Sequence, residues 1–438
     1  MILNVHTYPD RNTWQQLLQR PAIDTSSLEA SVSNIIDEVK RNGDEALRKF
    51  ASMFDKVTLT DLLVSDDEIN NAGDSLADDL KKAIQLAKAN IEKFHAAQMQ
   101  NEQVIETMPG VKCWRKAVPI EKVGLYIPGG TAPLFSTILM LGIPANIAGC
   151  KEIILCTPTD QQGKLNPAIL FTAKLVGVTR IYKVGGAQAI AAMAFGTTTI
   201  PKVHKIFGPG NQYVTAAKML VQREGVAIDM PAGPSEVAVL ANDTADASFV
   251  AADLLSQAEH GADSQVILVT TSEMLAAETV KEVTKQLKVL PRKEMATKAL
   301  TNSKIIVVEA IEEAIELLND YAPEHLIIAC NNDEDIADKI VNAGSVFLGN
   351  YSPESVGDYA SGTNHTLPTN GYAKAYSGVS VDSFVKKITF QKLSKEGLHN
   401  IGDTVQLMAE AEGLHAHANA VSLRLSLEPL RREDSKKH

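Results

Sequence analysis

The sequence predicts an α/β protein in which two open parallel sheets carry helices on both faces, with small segments at the two termini. Apolar runs with strand character alternate with segments of helical periodicity from residue 123 to residue 348. This alternation is typical of parallel sheets covered by helices. A chain of 438 residues is also too long for one hydrophobic core, so more than one domain is expected.

The region before this alternation is predicted to be mostly helical. Residues 1–24 are expected to form an N-terminal arm. Two helices are predicted between residues 24 and 54, because Gly43 can end the first and Asp44 can cap the second. An amphipathic helix is predicted over residues 76–98 and a strand over residues 111–118.

Two alternating series of similar plan follow, which suggests an old internal duplication without a clear sequence repeat. The first series has predicted strands at 123–127, 152–156, 180–184 and 203–207, and helices at 134–147, 167–176, 188–195 and 212–222. The second has predicted strands at 236–241, 265–270, 304–308, 325–329 and 345–348, and helices at 247–257, 274–286, 294–301, 311–318 and 334–341. Helical periodicity returns at 402–427, after a loop-like stretch. We expect two Rossmann-like domains, one from 25–121 with 235–379 and one from 122–234, followed by a C-terminal helical segment at 380–438.

The composition excludes several classes of protein. The net charge of -11 and the pI of about 5.5 make nucleic acid and anionic membrane poor partners. The longest apolar candidate, 134–150, is interrupted by Pro144 and falls short of a membrane span. The N-terminal stretch lacks the pattern of a secretory signal. Four cysteines without a CxxC pair indicate a reducing cytoplasm and no disulfides.

Three glycine-rich turns each follow a predicted strand and precede a predicted helix. They are Tyr126–Gly130, Val184–Gln188 and Phe207–Asn211. Ligands of open α/β sheets bind at this end of the strands, and helix N-termini there favour phosphate. No turn completes the dinucleotide fingerprint GxGxxG, because Tyr213 occupies the third glycine position after Gly208 and Gly210. Each turn alone is explained as well by the need for positive φ, but three at one sheet edge favour a ligand site.

The second series contains candidate catalytic and metal-binding residues. Glu324 and His325 lie at the entrance of an apolar strand, where a carboxylate and an imidazole can divide acid and base roles. Gln257 and His260 are three residues apart at a predicted helix end, and Asp358 is a loop carboxylate. His415 and His417 are two residues apart, so on a helix at most one of them is expected to join a given site. Two histidines, a carboxylate and an amide oxygen would suit a zinc-like ion. The alternatives are a solvated loop pair for Glu324–His325 and an Asx turn for Asp358.

Together these stretches resemble the histidinol dehydrogenase family. The matching segments run in order from about Val123 to about Val421: LYIPGGTAPLFST, VGGAQAIAAMAFGT, FGPGNQYVTAAK, DMPAGPSEV, DLLSQAEHGADSQ, YAPEHL, GSVFLG, SVGDYASGTNHTLPT and EGLHAHANAV. The resemblance therefore covers most of the chain, and the segments are specific in combination.

The resemblance implies a role for each candidate residue. One zinc ion per subunit would be bound by Gln257, His260, Asp358 and His417. Glu324 and His325 would be catalytic. The substrate would contact Ser235, His365 and Glu412 as well as His325 and the zinc ligands. NAD would contact Tyr126, Gln188 and Asn211, which lie in the three glycine-rich turns. The domain at 122–234 would then contact NAD, and the other would carry the zinc and catalytic residues. The family also implies a homodimer whose C-terminal segment reaches the partner's site.

The implied reaction is oxidation of L-histidinol to L-histidine through L-histidinaldehyde, with two hydride transfers to NAD, in the last steps of histidine biosynthesis. Three alternatives stay open from the residues alone. The substrate could be another hydroxymethyl compound, since specificity is not readable from these residues. The protein could instead be a zinc hydrolase in which Glu324 activates water. It could also be a binding protein without catalysis.

Overall fold

The computed structural model describes residues 3–21, 26–99, 101–129, 133–231 and 233–426. Its strands are β1 (Asn4–Thr7), β2 (Val104–Met108), β3 (Val111–Pro119), β4 (Lys122–Tyr126), β5 (Glu152–Thr157), β6 (Arg180–Lys183), β7 (Lys205–Phe207), β8 (Ala227–Ile228), β9 (Glu236–Ala241), β10 (Gln265–Thr270), β11 (Lys304–Val307), β12 (His325–Ala329), β13 (Ser345–Leu348) and β14 (Val385–Leu393).

Its helices are α1 (Trp14–Leu17), α2 (Ser26–Phe50), α3 (Asp66–Asn71), α4 (Asp78–Ala96), α5 (Phe135–Ala148), α6 (Pro167–Leu175), α7 (Gly186–Phe195), α8 (Gln212–Arg223), α9 (Ala247–Ala258), α10 (Glu273–Leu287), α11 (Lys293–Thr301), α12 (Ile311–Tyr321), α13 (Asp333–Ala337), α14 (Glu354–Tyr359), α15 (Lys395–Ala411) and α16 (His415–Ser426). Parts of four predicted features lie outside the described residues: residues 1–2 and 22–24 of the arm, the start of the first helix at 24, Gly130 of the first turn, and residues 427–438 of the C-terminal segment.

Two parallel sheets share one topology. The five-stranded sheet has the order β6-β5-β4-β7-β8, and the six-stranded sheet has the order β1-β11-β10-β9-β12-β13. Numbered along each series, both sheets have the strand order 3-2-1-4-5. This is the 3-2-1-4-5-6 order of a dinucleotide-binding fold without its sixth strand, and the larger sheet adds β1 at its edge. All of their pairings are parallel. The predicted fold class, two Rossmann-like parallel sheets with small terminal segments, is confirmed.

The N-terminal arm is part of the six-stranded sheet. β1 pairs in parallel with β11, with Asn4 opposite Lys304. Trp14, Leu17 and Leu18 are buried in the core on one face of this sheet. The sequence did not predict this strand because NVHT is mostly exposed and carries no apolar run.

The helix α2 packs on the five-stranded sheet. Leu28, Val32 and Leu47 belong to the same core cluster as Ile190 of α7 and Val221 of α8. The sequence had grouped residues 25–121 with the six-stranded sheet instead. An amphipathic pattern shows which face of a helix is buried but not which sheet covers it. Gly43 has non-helical dihedral angles inside α2, with φ of 50° and ψ of -126°, so two helices meet at a kink there, as the sequence predicted.

Contacts divide the chain into two compact units, residues 1–98 with 120–384 and residues 99–119 with 385–438. Both parallel sheets belong to the first unit. The second unit contains the antiparallel sheet β14-β3-β2, in which the rings of Trp114 and Phe390 stack with centroids 5.4 Å apart. The single helix predicted over 402–427 is two helices, because α15 begins at Lys395 and Gly413, with a φ of 72°, separates it from α16.

Two predictions drawn from composition can be compared with the structure. Across the described ranges, no helix is both long and apolar enough to cross a membrane. The cysteines Cys113, Cys150, Cys156 and Cys330 are all free thiols. This agrees with the prediction that the chain contains no disulfides.

Candidate active site

The predicted acid–base pair, Glu324 and His325, lies at the amino end of β12, next to the amino end of β9, in the six-stranded sheet. His325 begins β12, and its Cα is in register with Val237 of β9 on one side and Ser345 of β13 on the other. Gly344 permits this arrangement, since a Cβ there would lie 2.5 Å from the main-chain oxygen of Glu324. The glycine-rich turns lie elsewhere, at the carboxyl ends of the five-stranded sheet.

The peptide groups of Glu236 hold three of the predicted site residues. Its N–H donates to Oε2 of Glu324 at 2.8 Å. Its carbonyl oxygen lies 3.2 Å from Nδ1 of His325 and accepts from Nε2 of Gln257 at 3.1 Å. A carbonyl oxygen can only accept, so we assign the proton of His325 to Nδ1. Nε2 is then the basic nitrogen of the neutral ring. Nε2 of Gln257 also lies 3.3 Å from Nδ1 of His325, and in this tautomer the amide hydrogens of Gln257 go to Glu236 and Glu324 instead.

Gln257 presents its amide oxygen to the site. It lies in the last turn of α9, and its Nε2 is also 3.4 Å from Oε2 of Glu324. With the amide nitrogen facing acceptors, Oε1 is left buried without a hydrogen-bond partner. The sequence predicted that His260 lies above Gln257 on one face of the helix. α9 ends at Ala258, so His260 lies in the turn beyond the helix instead.

Around His325 the structure brings together two carboxylates and the imidazole. Nε2 of His325 lies 3.4 Å from Oδ1 of Asp358. His325, Glu354 and Asp358 each offer one possible ligand atom, and these three atoms lie within 4.8 Å of one another. Buried polar atoms without partners are rare in proteins and call for an ion, a water or a ligand. Four such atoms belong to this site: Gln257 Oε1, His325 Nε2, Glu354 Oε2 and Asp358 Oδ1.

Glu354 was missed in the sequence. It is 1% exposed and begins α14, four residues before Asp358. That spacing places both carboxylates on one face of a helix, which is the signal that could have identified it. The sequence instead predicted a loop there and singled out Asp358 alone.

Burial and mutual charge shift the pKa values of the ionisable groups. Burial raises the pKa of Glu324 to about 8, although the charge of His325 lowers it. Burial likewise raises the pKa of Glu354 to about 8. Burial would lower the pKa of His325, but Glu354, Glu324 and Asp358 outweigh it and raise that pKa to about 10. Burial opposes ionisation of Asp358, yet the contact with His325 and the charges of His365 and His260 keep its pKa below the usual value.

His365 links the loop after α14 to the helix α5. Its Nδ1 lies 2.8 Å from the main-chain oxygen of Asp358, and its Nε2 lies 3.1 Å from Oγ1 of Thr137. Burial lowers the pKa of His365, so the neutral ring is favoured. The side chain therefore supports the backbone that carries Asp358.

The remaining predicted substrate and zinc residues lie further along the chain. Ser235 immediately precedes β9, and its carbonyl oxygen accepts from the N–H of Gln265 at 3.1 Å. Glu412 follows α15 and His417 lies on α16; both are exposed and belong to the second unit. Of the four predicted zinc ligands, only Asp358 is also in the His325–Glu354–Asp358 cluster.

The first glycine-rich turn contacts the other two. The hydroxyl of Tyr126, at the end of β4, accepts from the N–H of Gly186 in the second turn at 3.0 Å. A Cβ on Gly208 in the third turn would lie 2.0 Å from the main-chain oxygen of Tyr126. Gln188 is buried in α7. Asn211 caps α8, with its Oδ1 accepting from the N–H groups of Tyr213 and Val214 at 3.0 and 3.1 Å.

Comparison with known proteins gives a consistent result. Residues 18–425 match the family model described as histidinol dehydrogenase. The histidinol dehydrogenase of Bacteroides thetaiotaomicron is 61% identical over 419 residues, covering 96% of this chain and 98% of that protein. The Escherichia coli K12 enzyme of the same name is 53% identical, covering 94% and 95%. A crystal structure of histidinol dehydrogenase from Elizabethkingia anophelis is 60% identical, with a TM-score of 0.95 over 97% of this chain and 98% of that one.

The fold, the buried acid–base cluster and these likenesses define an oxidoreductase of the α/β type. The family model matches nearly the whole chain, and the relatives cover it at well over half identity. The chain belongs to the histidinol dehydrogenase family. This membership favours the dehydrogenase interpretation over the hydrolase and the non-catalytic binding protein.

Proposed function

We propose that this protein oxidises L-histidinol to L-histidine, through L-histidinaldehyde, using two molecules of NAD and one zinc ion per subunit, in the last steps of histidine biosynthesis in the cytoplasm. Its relatives, which are histidinol dehydrogenases, support the choice of substrate. The observation that carries the proposal is the set of buried, unpartnered atoms around His325. These atoms suit a small polar substrate that is held while protons and a hydride leave it.

The donor set fits a zinc ion. Gln257 Oε1 and Asp358 Oδ1 are buried oxygen donors without partners, and the charge of His260 acts on Asp358. Nitrogen and oxygen donors of this kind suit zinc. We propose Gln257, His260, Asp358 and His417 as its ligands. When bound, zinc supplies a positive charge that orients the amino alcohol and offsets the carboxylate charge that raises the proton affinity of His325.

His325 is proposed as the general base of the first oxidation. A hydride leaves a carbinol carbon as the hydroxyl proton is removed, so a base must contact that hydroxyl. The Nδ1–H of His325 is held on the carbonyl of Glu236, which leaves Nε2 free to accept the proton. When bound, NAD supplies the hydride acceptor.

Glu324 is proposed as the group that activates water for the second oxidation. The aldehyde carbon must gain a hydroxyl before a second hydride can leave, so one water is consumed and its proton must be accepted. A pKa of about 8 allows Glu324 to exchange that proton near neutral pH. The N–H of Glu236 holds one of its oxygens, and this orients the carboxyl group.

NAD is proposed to bind at the glycine-rich turns. Tyr126, Gln188 and Asn211 are its proposed contacts, and the N-termini of α7 and α8 begin at two of these turns. Helix N-termini stabilise phosphate groups. We further propose a homodimer in which Glu412, His417 and His365 complete the substrate site together with Ser235; the exposure of Glu412 and His417 in the single chain is consistent with contacts to a second copy.

A coupled assay tests the proposal. The protein is incubated with L-histidinol and NAD while NADH absorbance and histidine are measured. We expect two NADH for each histidine, loss of turnover after chelation, and recovery when zinc is added back. Faster turnover of another amino alcohol would overturn the substrate assignment, and turnover without NADH would overturn the reaction.

A further inference from the structure

The carboxylate of Glu236 is a buried charge directly behind the acid–base pair. Its side chain is 3% exposed, although its two peptide groups contact Glu324, His325 and Gln257. An ionised carboxylate at such a position needs a partner, because an unpaired buried charge is strongly destabilising. Neither the catalytic role of the pair nor the zinc site accounts for this side chain.

Arg20 is the partner of that carboxylate. Its Nε lies 2.5 Å from Oε1 of Glu236 and its Nη2 lies 2.9 Å from Oε2, a two-point contact that only a guanidinium makes. The N–H of Asn370 also donates to Oε1 at 2.8 Å. The orientation of Glu236 is therefore fixed from two sides.

Arg20 also holds the segment that leads into Glu324. Its guanidinium carbon lies 4.0 Å from the ring centroid of Tyr321, and its Nη2 donates to the main-chain oxygen of Tyr321 at 2.7 Å. The next residue, Ala322, has a φ of 52°, a left-handed conformation that a non-glycine residue adopts at a cost. The hydroxyl of Tyr321 donates to Oε1 of Gln265 at 2.9 Å, which fixes the ring under Arg20.

We propose that Arg20 and Glu236 are positioning residues of this enzyme: Arg20 clamps β9 to the turn after α12, so that the peptide groups of Glu236 hold Glu324 and the Nδ1–H tautomer of His325. The clamp comes from the N-terminal segment, far from the pair in sequence. The proposal deepens the proposed function and depends on it for its activity readout.

The test compares Arg20→Ala with Arg11→Ala. Arg11 is the control at the surface: it lies in the same N-terminal segment, forms an exposed pair with Glu316 of α12 at 2.7 Å, and lies 5.2 Å from the ring centroid of Trp14, and neither partner is a site residue. We expect Arg20→Ala to lower kcat by about 10²-fold, the usual effect of a small misplacement of reacting groups, while the KM for NAD stays the same. Arg11→Ala should retain the wild-type kcat.

Two further readouts separate positioning from simple loss of stability. Methylguanidine should restore part of the kcat of Arg20→Ala by filling the space left by the guanidinium, and should not affect Arg11→Ala. The 15N spectrum of histidine-labelled protein, with the His325 signal assigned by its loss in His325→Asn, should show a protonated Nδ1 in the wild type and a changed tautomer ratio in Arg20→Ala.

The outcomes are distinct. Wild-type kcat and an unchanged His325 spectrum in Arg20→Ala would overturn the inference. A wild-type protein that does not oxidise histidinol would overturn the proposed function, and the His325 spectrum would still decide the inference. If Arg20→Ala does not fold, the isosteric Glu236→Gln replaces it, with the same expected loss of kcat and change of tautomer.

Discussion

Nε2 of His325 and Oδ1 of Asp358 face each other at 3.4 Å, and both atoms are buried without a hydrogen-bond partner. When His325 is protonated this contact becomes an ion pair, which is one cause of its raised pKa. In the neutral ring the two facing atoms are both acceptors and neither compensates the other. The pair is thus prepared for a third group, such as a substrate hydroxyl or a cation. This arrangement would connect the proposed acid–base role of His325 with the proposed metal-binding role of Asp358.

Replacing His325 by Asn tests the base. Asparagine keeps a polar group near the carbonyl of Glu236 but has no atom that takes a proton near neutral pH. We expect kcat for histidinol to fall by about 10²–10⁴-fold, while zinc content stays at the wild-type value. Steady-state kinetics and metal analysis on the same preparation measure both. Full activity in the variant would show that another residue is the base.

Replacing His260 by Asn tests the zinc site. Loss of one ligand usually lowers metal affinity severely, so zinc measured after dialysis should fall well below one ion per subunit. His204→Asn is the control, because His204 is an exposed histidine outside the site and should leave zinc content unchanged. Equal zinc in both variants would remove His260 from the ligand set.

The sequence predicted the two sheets and, apart from Glu354, the residues that the structure brings together around His325, because both depend on local patterns. Apolar runs mark the strands, and glycine-rich turns mark the carboxyl ends of three of them. Glu324 and His325 form a recognisable polar pair at the start of an apolar strand. Arg20, Glu236 and Glu354 were not identified. Glu354 had a local signal, its spacing of four residues from Asp358. The importance of Arg20 and Glu236 depends on a contact between distant segments, and a single sequence gives no signal for such a pair. The packing of α2 was mispredicted for the same reason.

Replacing Glu354 by Gln tests the charges around His325. Burial alone would lower the pKa of His325, and Glu354 is the first of the carboxylates that raise it to about 10. Removing this charge should lower the pKa of His325. The acidic limb of the pH profile of kcat/KM, where a protonated base limits the rate, should therefore move to lower pH. An unchanged limb would show that His325 does not control it.

Replacing Lys218 by Met tests the third glycine-rich turn. Lys218 forms a buried ion pair with Asp229, and its Nζ donates to the carbonyl of Gly208 at 2.9 Å. Removing one partner leaves the other charge buried, so the free energy of unfolding should fall by about 3–5 kcal/mol and the KM for NAD should rise. Lys88→Met is the control; its partly exposed pair with Glu92 should contribute only about 0.3–0.5 kcal/mol. Urea unfolding and kinetics measure the two effects, and equal losses of stability would contradict the prediction.

His95 should make the protein less stable in acid. It is fully buried, its Nδ1 lies 2.9 Å from the carbonyl oxygen of Ile91, and its Nε2 lies 3.4 Å from Nδ2 of Asn364. Burial lowers its pKa below the ordinary 6.5, partly opposed by the bond to Ile91. The unfolded chain therefore binds this proton more readily than the folded one. The stabilisation is complete above about pH 6.5 and is lost as the pH falls from there through the lower folded pKa.

His95→Gln should accordingly flatten the decline of Tm between neutral pH and the acid range, although His365, whose pKa is also lowered by burial, preserves part of the slope. His399→Gln is a close control, because Nδ1 of His399 makes the same contact, 2.9 Å from the carbonyl oxygen four residues earlier, at an exposed position. An exposed histidine keeps its contact with water in the folded protein, so Tm of this variant should depend on pH as it does in the wild type. If the two substitutions flatten the curve equally, burial of His95 is not the cause of the acid sensitivity.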